Sequence, residues 1–502
     1  VTRLVVAVAA LAAVAAGLWR LEAATDALLV SRERVGAIPV TVYRPAAAAP
    51  APAVVIAHGF AGSQQLMQPF AATLARNGYV AVTFDFPGHG RNPVPLPGGL
   101  ADRDARTAAL AQALDAVARF ARAAPGADGR IALLGHSMAS DTVVRHARAD
   151  AGVDATVAVS LFSREVTAES PRNLLVIVGA LEPQALRQHG LDVVGLAAGG
   201  AAAGVTYGDF GAGTARRLVL APGVEHIGVL YSAASLAEAT GWLHQTFRRT
   251  GSGQVDARGP WLVLVYAGLL ALAWPLAGRL PRVSPVPLGA GLGWRRLLPV
   301  AVAPAVLTPL ILWRMPTDYL PLLLGDYLAL HFGLYGLLTA AGLALAARRG
   351  TPRAAFSRPA LALAAGAASA YAVLAFGLVT DRYAFSFIPT GARVPLALAM
   401  LAGTLPYFAA DEWLTRGAGA PRFAYLATKA LFLASLAAAI ALNLAKLFFL
   451  VIIVPAILAF FLVYGLMSGW VVRRTGHPFA GALASAAAFA WAIAVTFPVV
   501  AR

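Results

Sequence analysis

Cysteine is absent from all 502 residues, so the chain forms no disulfide, has no thiolate nucleophile and offers no cysteine-based metal site. Charge is scarce: 13% of residues are charged, against roughly 25% in an ordinary soluble domain, while 59% are hydrophobic. That balance points to several membrane-crossing helices. Lysine is nearly missing, with two among the 40 basic residues, a bias that fits a GC-rich genome rather than any chemistry. "GAGTARR" and "GLAAGGAAAG" lack both the Lys-Ser/Thr pair and the strand–loop–helix setting of a phosphate cradle. No histidines stand at HExxH spacing. Neither a cofactor nor a metal is expected.

The formal charge of +16 invites a nucleic-acid reading, but its distribution opposes it. Residues 20–259 carry about +2 and residues 260–502 about +13. The excess sits between hydrophobic runs, where arginine orients helices rather than gripping phosphates. The expected partner is a lipid bilayer and not nucleic acid.

"LVVAVAALAAVAAGLW" (4–19) follows Arg3 and is long enough for a signal peptide, a signal anchor or a first span. "AATDA" is a poor cleavage site, so residues 1–21 read as an anchor. Residues 22–258 change character. "ALLVSRERVGAIPVTVYRP" places two strand-like runs around a glycine turn, a hairpin. Apolar strands at 53–59, 80–86, 130–137, 155–162, 173–180 and 216–223 then alternate with helical stretches, among them 64–79 and 103–123. Continuous apolar strands between helices are what a mostly parallel sheet covered on both faces requires. About eight strands are expected.

From Trp261 the pattern is membrane, and residues 259–502 read as an all-α polytopic domain of eight spans: 260–278, 297–314, 319–346, 359–380, 394–411, 424–444, 447–470 and 478–500. The least certain boundary lies at Asn443–Lys446. Arginines crowd alternate connections: Arg279, Arg282, Arg295 and Arg296; Arg348, Arg349, Arg353 and Arg358; Arg416 and Arg422; Arg473 and Arg474. By the positive-inside rule that side is cytoplasmic. Residues 22–258 are then expected outside a bacterial cytoplasmic membrane. Inside the spans, Asp411, Glu412 and Lys429 read as structural ion pairing. Asp326 and Lys446 are expected toward the outer face, where helix packing, a lipid-headgroup contact and a shared polar pocket beneath the active site are the readings.

"HGF" (58–60), "DFPGHG" (85–90), "GHSMA" (135–139), "GALEP" (179–183) and "PGVEHIG" (222–228) each fall at the carboxyl end of a strand-like run. In this order they resemble the α/β-hydrolase family, across about residues 27–250. "GHSMA" is close to the Gly-x-Ser-x-Gly elbow, with Ala139 where the last glycine usually stands. The resemblance implies an α/β-hydrolase fold in which Ser137 is the nucleophile, His226 its base and Glu182 the acid that orients His226. Glu165, after the previous strand, is the substitute acid. It assigns the oxyanion N–H groups to Phe60 and Met138. His58 and His136 are pocket candidates, while Asp85 and His89 belong to a structural turn.

About 45 residues separate Ser137 from Glu182, too few for a lid domain. The family's commonest activity implies a carboxylic ester hydrolase, esterase- or lipase-like, meeting an ester or lipid-like substrate at the outer membrane surface. Two other readings stand beside it. One is a membrane acyltransferase using the same residues; the other is a transport or assembly protein with a hydrolase-like binding module. The oligomeric state is not legible.

Overall fold

A computed structural model describes all residues except 47–48, 100–101, 198, 348–354 and 502. The connection arginines Arg348, Arg349 and Arg353 lie outside the described residues. The chain divides into two compact units. One gathers Val1–Ala15, Val265–Val379 and Phe387–Phe497; the other gathers Ala16–Leu264, Thr380–Ser386 and Pro498–Arg502.

The second unit is built on a nine-stranded sheet. Its strands are β1 (Leu28–Val35), β2 (Ile38–Pro45), β3 (Ala51–Ala57), β4 (Val80–Phe84), β5 (Ala127–His136), β6 (Val153–Val159), β7 (Leu174–Gly179), β8 (Thr206–Tyr207) and β9 (Arg216–Ala221). The order is β1-β2-β4-β3-β5-β6-β7-β9-β8. The hairpin β1–β2 and the β2–β4 pair are antiparallel, β4 through β9 run parallel, and β8 returns antiparallel at the edge. The strand beyond the expected eight is the two-residue β8, too short to leave a periodic signal.

Alternation along each strand divides the core in two, because successive side chains point to opposite faces. Val54 and Ile56 of β3 join Phe70, Leu74 and Trp242 on one face, under the helices Gln68–Arg76 and Ala233–Phe247. Ala53, Val55 and Ala57 join Leu114, Val117 and Val143 on the other, under Arg103–Arg122 and Met138–Ala149. Burying a side chain such as Phe70 contributes about 1.5–3 kcal/mol. The 64–79 stretch differs from the single helix expected. A 3-10 turn at Gln64–Met67 precedes the helix Gln68–Arg76, whose start Pro69 favours because it has no N–H to leave unpaired.

Nine helices among the described residues are long and apolar enough to cross a membrane, which marks the chain as an integral membrane protein. They are Thr2–Glu22, Gly259–Ala277, Trp294–Trp313, Gly325–Ala346, Arg358–Tyr383, Arg393–Thr415, Ala424–Leu442, Leu450–Thr475 and Pro478–Thr496. The Asn443–Lys446 boundary is a break: the Asn443 side chain accepts from the Lys446 N–H and opens a one-turn helix, Leu444–Leu447. Lys429 pairs with Asp411, and Arg416 with Glu412.

Asp326 and Lys446 do not meet as a pair. The Asp326 carboxylate accepts from the N–H groups of Tyr319, Leu320 and Tyr327, while Lys446 donates to Thr317 Oγ1 and the Asp318 carboxylate. A cavity of about 30 Å³ has Thr317, Tyr327 and Lys446 in its wall but not Asp326. A carboxylate at a helix start is better satisfied by the local free N–H groups than by a distant ammonium.

Candidate active site

The buried end of β5 runs into Ser137, which holds φ 53° and ψ −116° before the helix Met138–Ala149 begins. Such a turn lifts the hydroxyl above the sheet, and it needs a bare backbone at Gly135. A Cβ there would stand 2.5 Å from the Ala139 carbonyl oxygen. Ala139 is fully buried, so the methyl in place of the family's glycine fits between helix and strand.

Ser137 Oγ lies 3.0 Å from His226 Nε2, and His226 Nδ1 lies 2.7 Å from Glu182 Oε2. The Glu182 side chain is sealed from solvent. Its other oxygen accepts from the Ser160 hydroxyl at 2.7 Å and the Gly179 N–H at 2.8 Å. A carboxylate so engaged takes the Nδ1 proton of His226 as its remaining donor. The Nε2 lone pair is then left facing the serine hydroxyl, which is the tautomer a base needs. Glu165 instead pairs with Arg145 and Arg148.

The Met138 N–H opens its helix and so has no intrahelical acceptor. Across from it the backbone before Phe60 touches the nucleophile: a Cβ on Gly59 would stand 3.0 Å from Ser137 Cβ. The two N–H groups assigned to an oxyanion therefore belong to segments that flank Ser137. His58 and His136 are both shut away from solvent and bond main chain rather than line an open pocket. The Phe86 N–H donates to His58 Nε2 at 3.2 Å, so Nδ1 carries the proton that reaches the Gly59 carbonyl at 2.8 Å. His136 Nε2 donates to the His226 carbonyl at 3.0 Å. Asp85 accepts from the Gln64 and Arg91 N–H groups and stays a structural group of the turn.

Burial holds His136 well below the ordinary histidine range, and the neighbouring His226 adds to this. Burial lowers His58 too, with Asp85 opposing it in part. In the unfolded chain both histidines take up a proton below about pH 6.5 while the folded state refuses it, so stability is lost as pH falls from there. The expected slope is up to about 1.4 kcal/mol per pH unit for each histidine. Thermal unfolding in detergent between pH 5 and pH 8 measures it, and His136→Gln should reduce the slope.

Ser160 is the functional neighbour that the sequence does not announce. It stands at φ 54° just past β6, and only the fold brings its hydroxyl to Glu182. Among the described residues, no group of three or more His, Asp or Glu is placed to hold a metal ion.

With this geometry in place, the family model for serine aminopeptidase S33 matches residues 48–187. Those residues are an α/β-hydrolase domain of the serine hydrolase kind. No curated protein sequence matches the chain. Among solved structures it is similar to a predicted CIB-like hydrolase from Thermoplasma acidophilum, at 17% identity, with 43% of this chain and 98% of that one covered and a TM-score of 0.34. It is also similar to a candidate dienelactone hydrolase from Klebsiella pneumoniae, at 18% identity, 45% and 100% coverage and a TM-score of 0.33.

Proposed function

We propose that the protein is a membrane-embedded serine hydrolase that cleaves carboxylic esters at the extracytoplasmic membrane surface. The observation that carries this reading is the relay from Ser137 Oγ through His226 to the sealed carboxylate of Glu182. Ser137 Oγ attacks the ester carbonyl as His226 Nε2 takes its proton, and the Phe60 and Met138 N–H groups receive the negative oxygen. His226 then returns the proton to the leaving alcohol. Water, activated by the same imidazole, releases the acid from the acyl-enzyme.

An ester fits better than a peptide with a free amino terminus. An aminopeptidase needs an open carboxylate for the substrate's ammonium group, and the carboxylates on the strand-end loops are engaged internally. Asp85 holds Gln64, Glu165 pairs with Arg145 and Arg148, and Glu225 accepts from the Ile227 and Gly228 N–H groups. Exposed apolar side chains beside the strand ends, Phe162 and Leu181, favour an apolar substrate group. Labelling with a fluorophosphonate tests the reading directly. Wild type should label and Ser137→Ala should not; a well-folded wild type that fails to label would overturn it.

Counted along nine crossings, residues 22–258 fall opposite the arginine-rich connections at 279–296, 416–422 and 473–474. The positive-inside rule puts those connections in the cytoplasm and the hydrolase domain outside. The absence of cysteine makes this simple to test. Ser31→Cys on exposed β1 should react with a membrane-impermeant maleimide in intact cells, and Arg282→Cys only after lysis. The reverse pattern would place the domain in the cytoplasm.

A further inference from the structure

We propose that two segments outside the hydrolase sequence, Thr380–Ser386 and Pro498–Ala501, are positioning elements for the oxyanion loop. This rests on the serine hydrolase reading above. Both segments belong to the same compact unit as the sheet, and each runs directly from an apolar helix, one ending at Tyr383 and the other at Thr496.

The first segment grips the loop that follows Phe60. The Ser386 N–H donates to Ser63 Oγ at 2.9 Å, and the Ser386 hydroxyl donates to Gln65 Oε1 at 3.0 Å. All three residues are buried. Buried polar side chains need partners, and "AGSQQ" (61–65) has three in a row whose partners lie elsewhere in the chain. Gln64 finds Asp85; Ser63 and Gln65 find Ser386. Ala61 in this loop holds φ 54°, a conformation a residue with a side chain keeps only when its surroundings impose it.

The second grip is on the neighbouring loop, 85–96. Asp381 pairs with Arg91 at 2.5 Å, and the Arg91 N–H donates to Asp85. Residues 499–501 then add a short parallel ladder. The Val499 N–H donates to the Gly88 carbonyl, the Leu96 N–H to the Val499 carbonyl and the Ala501 N–H to the Leu96 carbonyl, at 2.8, 2.8 and 2.9 Å. The fit leaves no slack: a Cβ on Gly88 would stand 2.4 Å from the Val499 oxygen. From this loop the Phe86 N–H reaches His58, and His58 reaches the Gly59 carbonyl, one residue before the Phe60 N–H.

Oxyanion donors act only when held where the charge develops, so loosening either grip should weaken transition-state binding more than substrate binding. Three variants of the full-length protein in detergent test this: Ser386→Ala, Asp381→Arg, and Val499→Pro, which removes the N–H that reaches Gly88. Fluorophosphonate titration counts the active sites in each, and kcat is expressed per titrated site. We expect kcat per site to fall about tenfold or more with KM changed less than about twofold. The inhibition constant of a trifluoromethyl ketone, a transition-state mimic, should rise by the same factor. Ser386→Thr, which keeps the hydroxyl, and Arg91→Asp combined with Asp381→Arg should recover most of the loss. A variant that loses titratable sites but keeps kcat per site is merely unstable, and that result would overturn the proposal. Failure of wild type to label at Ser137 would instead overturn the hydrolase reading beneath it.

Discussion

Ser137→Ala is expected to lower kcat for an ester such as a p-nitrophenyl acylate by about 10⁶-fold while leaving the fold intact. The reason is geometric. Ser137 Oγ stands 3.0 Å from the imidazole nitrogen whose lone pair faces it, and deleting that oxygen leaves His226 with nothing to activate in line with the carbonyl. The Ser137 carbonyl accepts from the Ser140 N–H and hydroxyl, main-chain contacts that alanine preserves, so the turn itself should survive. What remains is the modest acceleration from the two backbone N–H donors and substrate binding. Turnover of a series of chain lengths, measured beside fluorophosphonate labelling, checks this. Retained turnover would mean that water or another group attacks, and that Ser137 is a helix-start serine only.

Glu182→Gln is expected to lower kcat by about 10⁴-fold with little change in KM. The isosteric amide meets a slot built for two donors: the Ser160 hydroxyl and the Gly179 N–H both point at one oxygen of residue 182. The amide carbonyl must take that position, which turns the NH₂ toward His226 Nδ1. The imidazole then has to accept at Nδ1 and carry its proton on Nε2, facing Ser137 as a donor rather than a base. The fluorophosphonate reaction rate should fall in parallel, because it needs the same base. Ser160→Ala removes one of the two donors and should weaken this tautomer control, with a smaller loss. Activity of Glu182→Gln within tenfold of wild type would mean that His226 is oriented by some other group.

The strand-end motifs were legible because each is a local pattern: a short apolar run, then a few residues whose types suit a turn. The hairpin around Gly36 and the apolar spans were legible for the same reason. The two-residue β8 was not, since pairing with β9 and not periodicity makes it a strand. The shared Asp326–Lys446 pocket, one of the readings of that pair, gives way to a competition that sequence does not display. Local N–H groups satisfied Asp326, and Thr317 and Asp318 satisfied Lys446, before the two could meet.

Residues near one another in the chain account for the alternation of strands and helices, the turn at Ser137, the apolar helices and the arginine asymmetry between them. Each of these is set by residues within a window of about 20 positions, the reach of one helix or one strand and its turn. Long-range packing is what sets Glu182 rather than Glu165 against His226, closes Ser160 over it, and brings Ser386 to Ser63 from 323 positions away. Those outcomes depend on which distant partner satisfies a buried polar group, and that choice is made by packing, where sequence neighbours have no vote.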